Sequence, residues 1–195
     1  MTAHALLSGG IGSGKSTAAA IFRDLGAWIV SADDAGHRIL SPGGEAEAAV
    51  ADRWPGAVSG GVIDRRLLGR LVFGESGALG ELESITHPAI RREVIAEVEA
   101  GHDAPVVLVE VPLLTDFLGP GWLRVVVDAP EEVRIFRLRL RGMQPDEIAG
   151  RMAVQPLRNE WLASADYVID NSAGLEELES GCHRVWQALV GSAPA

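Results

Sequence analysis

The sequence predicts an α/β fold, built as three layers around a mostly parallel five-stranded sheet. Short apolar runs rich in β-branched residues alternate with helical stretches, as in parallel sheets that are buried on both faces. A glycine-rich loop separates the first apolar run from the first helix. With 47% hydrophobic residues in a chain of 195, the sequence can also bury a sizeable core.

The elements of the sheet follow in chain order. A strand at Ala3–Ser8 leads into a glycine loop at Gly9–Gly14 and a helix at Lys15–Leu25, which Gly26 ends. The remaining strands are predicted at Ala27–Val30, Val106–Val111, Arg124–Asp128 and Tyr167–Asp170.

About 75 residues separate the second predicted strand from the third, which is more than a simple crossover needs. This interval has almost no strand signal, so we expect helices at Asp33–Leu40, Glu45–Trp54, Asp64–Phe73, Leu79–Ile85 and Pro88–Ala100. The resulting organisation is a core of about 1–40 and 104–195 with a helical, substrate-binding insertion at about 41–103. A second insertion at about 137–161 is rich in arginine and is predicted to be a helical lid.

The charge balance excludes some classes of partner. Lys and Arg number 17 against 27 Asp and Glu, and the net charge of −10 argues against nucleic-acid and membrane-surface binding. The N-terminal apolar run lacks a basic leader and no run of about 18 apolar residues occurs, so we expect a cytoplasmic protein with no membrane contact. Cys182 lies in a series with helical spacing, which favours a buried core thiol.

Residues Gly9 to Ser16 read GGIGSGKS and match the phosphate-binding P-loop pattern G-x-x-x-x-G-K-[ST], in the required position between a strand and a helix. In such a loop the backbone N–H groups surround phosphate oxygens, Lys15 reaches the β- and γ-phosphates, and the Ser16 hydroxyl can ligate Mg²⁺. The residues assigned to this nucleotide site are Gly10, Ile11, Gly12, Ser13, Gly14, Lys15 and Ser16. Lys15 is the only lysine of the chain, which rules out the N-K-x-D guanine-reading motif and disfavours a nucleotide switch.

Acidic residues lie at the ends of two predicted strands, and each of these two places has two interpretations. Asp33 and Asp34 follow the second strand, where one could accept a proton from an acceptor hydroxyl, or Asp33 could be a helix N-cap. Glu110, near the end of the third strand, could hold a magnesium-bound water or be a satisfied polar strand end.

Basic residues supply further candidates. Arg134, Arg137 and Arg141 form one stripe on a helix and could reach a single anion, although a solvated helix face also explains them. His87 could cap a helix that begins at Pro88. The histidines show no zinc-binding spacing.

Several segments together resemble the dephospho-CoA kinase family, almost from end to end of the chain. ITHP at 85–88 and VPLL at 111–114 are more specific than the P-loop. The other matching segments are GGIGSGKST at 9–17, Ala32-Asp33, Ile63-Asp64-Arg65 with Leu68 and Val72-Phe73, LESITHPAI at 82–90, Glu110, Gln155 and ADYVIDN at 165–171.

The resemblance implies ATP-dependent phosphorylation of the ribose 3′-hydroxyl of dephospho-CoA, the last step of coenzyme A biosynthesis, with ATP and Mg²⁺ and no specific protein partner. It implies that Asp33 is the base, that Lys15 and Arg141 stabilise the transferred phosphoryl group, and that Ser16 binds magnesium, with Glu110 contributing through water. The further residues on the nucleotide side are Thr17, Arg137 and Asn171, and those on the acceptor side are Arg65, His87, Glu110 and Leu113.

The chain departs from the family pattern at several positions. Ser31 replaces an aspartate, Arg134 a glutamine and Trp161 an arginine, for which Arg158 could substitute. The other positions that depart from the family pattern are Ser8, Thr115-Asp116 and Gly142. Two alternatives remain open at this stage: another small-molecule kinase of nucleotide or nucleoside type, and a catalytically silent nucleotide-binding module.

Overall fold

A computed structural model describes residues 2–112 and 118–192 of the chain. Its main sheet has five strands in the order β2-β5-β1-β6-β7, and the pairs β1–β5, β1–β6 and β6–β7 are parallel. The α/β fold class is therefore confirmed. The strands of this sheet are β1 (Ala3–Ser8), β2 (Trp28–Ser31), β5 (Val106–Glu110), β6 (Leu123–Asp128) and β7 (Tyr167–Asp170).

The helices of the described chain begin and end as follows: α1 (Lys15–Asp24), α2 (Ala32–Arg38), α3 (Glu47–Arg53), α4 (Arg65–Gly74), α5 (Ala78–Ala100), α6 (Glu131–Leu140), α7 (Pro145–Ala153), α8 (Arg158–Ala163) and α9 (Leu175–Ser192). The apolar faces of α1 and α9 pack on the sheet through residues such as Phe22, Leu178 and Leu189. Cys182 belongs to the same cluster and is fully buried, as its spacing predicts. No described helix is long and apolar enough to cross a membrane.

The chain divides into two compact units. One consists of residues 1–30 and 98–195 and contains most of the sheet, and the other consists of residues 31–97. The second unit therefore begins and ends earlier than the predicted insertion at about 41–103. Its own core is formed by residues of α3, α4 and α5 such as Val50, Leu68 and Ala89, with Trp54.

A short hairpin in the second unit corrects the expectation that only helices fill this interval. Strands β3 (Val58–Ser59) and β4 (Val62–Ile63) pair antiparallel across Gly60 and Gly61, which have φ of +61° and +81°. Such a two-residue turn suits glycine because it needs positive φ at both positions. The sequence pattern does not reveal these strands because each of them has only two residues.

The helix α5 corrects a second expectation. The sequence predicts two helices, ending at Ile85 and beginning at Pro88, whereas α5 runs continuously from Ala78 to Ala100 with Pro88 inside it. Proline removes one backbone N–H from the helix. Packing of the flanking Thr86 and Ala89, which are 7% and 2% exposed, offsets this cost. His87 is consequently an interior helical residue and not a cap.

Candidate active site

Polar residues end the adjacent strands of the sheet. Ser8 ends β1, Glu110 ends β5, Asp128 ends β6 and Asp170 ends β7. Because these strands run parallel, their carboxyl ends meet at one edge, which is where open α/β sheets bind ligands. The P-loop leaves β1 at this edge and enters α1.

Two loop glycines pack closely against later side chains, and the positive φ of one of them, Gly14, favours glycine at that position. Gly14 is the N-cap of α1 with φ of +103°, and a Cβ at this position would lie 2.1 Å from Nδ2 of Asn171. A Cβ on Gly10 would lie 2.1 Å from a guanidinium nitrogen of Arg134. The loop is therefore enclosed by side chains from later parts of the chain.

Lys15, Ser16 and Glu110 form one cluster beside the loop. Nζ of Lys15 donates to the carbonyl of Val111 at 3.0 Å and lies 3.6 Å from Oε1 of Glu110. The Ser16 hydroxyl donates to the same carboxylate oxygen at 3.2 Å. The interpretation of Glu110 as a satisfied strand end and its interpretation as part of the site are thus both compatible with its contacts.

The hydroxyl and carboxylate oxygens of this cluster fit Mg²⁺, which prefers oxygen ligands and usually takes only one or two from the protein when phosphates and water complete its coordination. Residues 2–112 and 118–192 contain no group of three or more His, Cys, Asp or Glu side chains that could hold a metal ion by themselves.

Asn171 and Arg137 hold the other flank of the P-loop. Asn171 Nδ2 donates to the carbonyl of Ser13 at 2.7 Å, and its side chain is almost fully buried. Arg137 donates to the Asn171 carbonyl and to its Oδ1 at 2.9 and 3.1 Å. Both predicted residues therefore contact the loop region directly.

A cavity of about 180 Å³ adjoins this flank. Its lining brings together five residues that the sequence assigns to nucleotide binding or phosphoryl transfer: Gly14, Thr17, Arg137, Arg141 and Asn171. Leu175 and Leu178 add an apolar wall. A concave site with convergent cations and an apolar side suits a flat, polar ring attached to phosphates.

The arginine stripe divides between two places. Arg137 and Arg141 line the 180 Å³ cavity, whereas Arg134 lies against Gly10. The three arginines therefore do not line one common cavity in this arrangement. Partial burial lowers the pKa of Arg134, although the nearby carboxylates of Glu131 and Asp128 act in the opposite direction.

Sequence reasoning named Gln155 within the family resemblance and Arg158 as a substitute for a missing arginine, but it did not predict the contacts that these two residues of the segment 137–161 make. Gln155 Oε1 accepts a hydrogen bond from the Ile11 N–H at 2.8 Å. Arg158 binds both carboxylate oxygens of Asp128, with Nε–Oδ1 at 2.9 Å and Nη2–Oδ2 at 2.6 Å. The hydrogen bond to Asp128 raises the pKa of Arg158. The polar end of β6 was the available signal for Asp128.

In the second unit, the N-cap of α2 is Ser31, whose hydroxyl accepts from the Asp34 N–H at 3.1 Å. The interpretation of Asp33 as the N-cap is therefore wrong. Asp33 and Asp34 are exposed in the first turn of α2. Arg65 and His87 are also exposed, and Leu113 lies outside the described residues.

The parallel sheet, the P-loop that enters α1, and the cluster around Lys15 define a nucleotide-dependent phosphotransferase of the P-loop class. The dephospho-CoA kinase family model matches residues 5–177. The chain belongs to this family, and such membership implies an enzyme that uses ATP and a small-molecule acceptor.

Individual relatives agree with this assignment. The dephospho-CoA kinase of Frankia casuarinae is 37% identical over 94% of this chain and 82% of its own length. The dephospho-CoA kinase of Methylococcus capsulatus is 40% identical over 95% of this chain and 98% of its own length. A crystal structure of a protein from Thermus thermophilus matches with a TM-score of 0.83 and 32% identity, and the match covers 100% of both chains.

Proposed function

We propose that this chain transfers the terminal phosphoryl group of ATP to the ribose 3′-hydroxyl of dephospho-CoA and forms coenzyme A and ADP. The observation that carries this proposal is the P-loop of a dephospho-CoA kinase family member, flanked by the Lys15–Ser16–Glu110 cluster and by the cavity of about 180 Å³. We assign the adenine ring of ATP to that cavity, beside Asn171.

The P-loop residues act by positioning and by electrostatic stabilisation, because phosphoryl transfer needs little covalent help from the protein. Amides of Gly12 to Ser16 and the N-terminus of α1 bind phosphate oxygens. Lys15 exchanges its contacts with Val111 and Glu110 for phosphate oxygens, and Arg141 adds positive charge where negative charge develops.

Ser16, together with Glu110 through water, would hold Mg²⁺. When bound, this ion neutralises charge on the phosphates and orients them.

Asp33 accepts the proton of the acceptor hydroxyl. Since Ser31 caps α2, the carboxylate of Asp33 is not needed to satisfy the helix end. It is exposed and therefore available to a ligand. Asp34, the next residue, points in a different direction from the helix and provides a matched comparison.

The acceptor would be bound by Arg65, His87, Glu110 and Leu113, and the segment 137–161 would act as a lid that excludes water. Both substrates are small polar molecules, and we place the reaction in the cytoplasm.

The proposal is tested by incubating the protein with Mg-ATP and dephospho-CoA, and separately with adenosine or AMP as the acceptor. ADP should form in step with coenzyme A and should not form with the other acceptors. ADP formation with adenosine or AMP alone would favour a nucleoside or nucleotide kinase, and ATP binding without turnover would favour a silent binding module.

The role of Asp33 is tested with Asp33→Asn and Asp34→Asn. The amide cannot accept a proton, so Asp33→Asn should lose about 10²- to 10⁴-fold in kcat while ATP binding is retained. Asp34→Asn should stay close to wild type. The reverse pattern would assign the base to Asp34, and two active variants would exclude a carboxylate base at this place.

A further inference from the structure

A cavity of about 10 Å³ lies where the P-loop, the end of β6 and the helices α6 and α8 meet. Ser13 of the loop, Asp128, Arg134 and Trp161 line it. It is separate from the nucleotide cavity beside Asn171, and none of the activity assigned above uses it.

Three residues of this lining carry a buried donor without a hydrogen-bond partner in the described part of the chain: the Ser13 hydroxyl, Nε of Arg134 and Nε1 of Trp161. Ser13 is 1% exposed and Trp161 is 3% exposed. Leaving such groups unpaired costs free energy. The indole N–H and the guanidinium group donate hydrogen bonds and cannot accept them. The cavity therefore requires a group that accepts hydrogen bonds.

The size of the cavity identifies that group. A cavity of about 10–15 Å³ accommodates a single water molecule, and buried waters have two to four polar partners. A phosphate group, with several oxygens around its phosphorus, is too large. We propose that the cavity is a site for one ordered water molecule that joins the P-loop to α6 and α8.

The polar groups around the cavity match the hydrogen-bonding capacity of water. The water accepts from the Trp161 indole N–H and from Arg134 Nε–H. It donates to the Asp128 carboxylate, whose Oδ1 accepts one hydrogen bond from Arg158 and can accept another. It also forms a hydrogen bond with the Ser13 hydroxyl.

This site gives Trp161 a positioning role. On one side of the loop, Asn171 and Arg137 bind the backbone carbonyl of Ser13. The water binds the side chain of the same residue and links it to α8. The loop is then held from two sides, and Trp161 acts on it through the water and not by direct contact with a ligand.

A crystal structure of the wild-type chain at about 1.6 Å tests the site directly. One peak of density should lie within hydrogen-bonding distance of Trp161 Nε1 and Arg134 Nε. The proposal would be overturned if this place showed no density, or if Trp161 Nε1 and Arg134 Nε donated directly to acceptors of the protein.

The positioning role is tested with Trp161→Phe, which keeps an aromatic ring and removes the N–H. Trp54→Phe is the matched control, because Trp54 is 4% exposed and its Nε1 is also unpartnered, but it belongs to the other compact unit. Circular dichroism establishes that both variants fold. ADP affinity should fall about 2- to 10-fold for Trp161→Phe, the effect of one hydrogen bond, and stay within about twofold for Trp54→Phe.

Equal ADP affinities in the two variants would overturn the positioning role. Only this second test rests on the proposed nucleotide site. A wild-type chain that fails to bind ADP would count against the proposed function, whereas the crystallographic test of the water site would keep its meaning.

Discussion

Replacing Asn171 by alanine tests whether this side chain holds the P-loop in place. The substitution removes the buried hydrogen bond to the Ser13 carbonyl at 2.7 Å and the charge-assisted bond from Arg137 to Oδ1 at 3.1 Å. The first is worth about 0.5–1.5 kcal/mol and the second about 1.5–3 kcal/mol. Arg137 keeps its bond to the Asn171 carbonyl, which moderates the second loss. We expect a total loss of about 2–4 kcal/mol.

For a chain of this size, that loss corresponds to a fall in Tm of about 4–16 °C. Thermal unfolding followed by circular dichroism measures it, and titration with ADP measures the accompanying loss of nucleotide affinity. Asn159→Ala is the control because Asn159 is exposed on α8, where substitutions change stability by no more than about 0.5 kcal/mol. If the two alanine variants unfold at the same temperature, the bonds of Asn171 do not stabilise the loop.

Three further predictions follow from other residues. Lys15→Ala should reduce phosphoryl transfer at least about 10²-fold in a steady-state assay while the protein stays folded, and near-normal kcat would contradict its phosphate role. Burial raises the pKa of Cys182 to about 12, so the native thiol should not react with a disulfide reagent at pH 8 and should react after denaturation; a fast native reaction would contradict the buried environment. The backbone N–H groups of Leu67 and Arg66 lower the pKa of Asp64, so its stabilising effect is complete above the unfolded pKa of about 4 and is lost as the pH falls through the folded value. The stability difference between wild type and Asp64→Ala, measured by urea unfolding, should therefore be constant above about pH 5 and shrink in more acidic solution; a difference that grows toward acid would show the opposite shift.

Most of the main sheet could be predicted from the sequence because its strands are short apolar runs ended by glycine or by polar residues. The bounds of β1 and β7 agree with the predicted Ala3–Ser8 and Tyr167–Asp170. Local patterns failed where a few residues or tertiary packing decide the conformation. The β3–β4 hairpin is too short to show a period, and packing on both sides of Pro88 keeps α5 continuous.

The P-loop could be predicted because its glycines, lysine and serine are adjacent in the sequence. The contacts to the loop and to the neighbouring strand end could not, because they join residues far apart along the chain. Gln155 and Ile11 are 144 positions apart, and Arg158 and Asp128 are 30 apart. Neither residue type indicates its partner, and only the folding of α6, α7 and α8 around the strand ends brings them together.

The position of the only lysine side chain has a consequence for the protein chemistry of this molecule. Lys15 is partly buried, with 15% of its side chain exposed, and its ammonium group is engaged by Val111 and Glu110. Apart from the α-amino group, every amine-directed reagent must therefore react at the proposed phosphate site. Dyes, crosslinkers and resin attachment through lysine would report on or block that one place. Labelling for binding studies is better directed to an introduced cysteine on the exposed surface, because the natural Cys182 is buried.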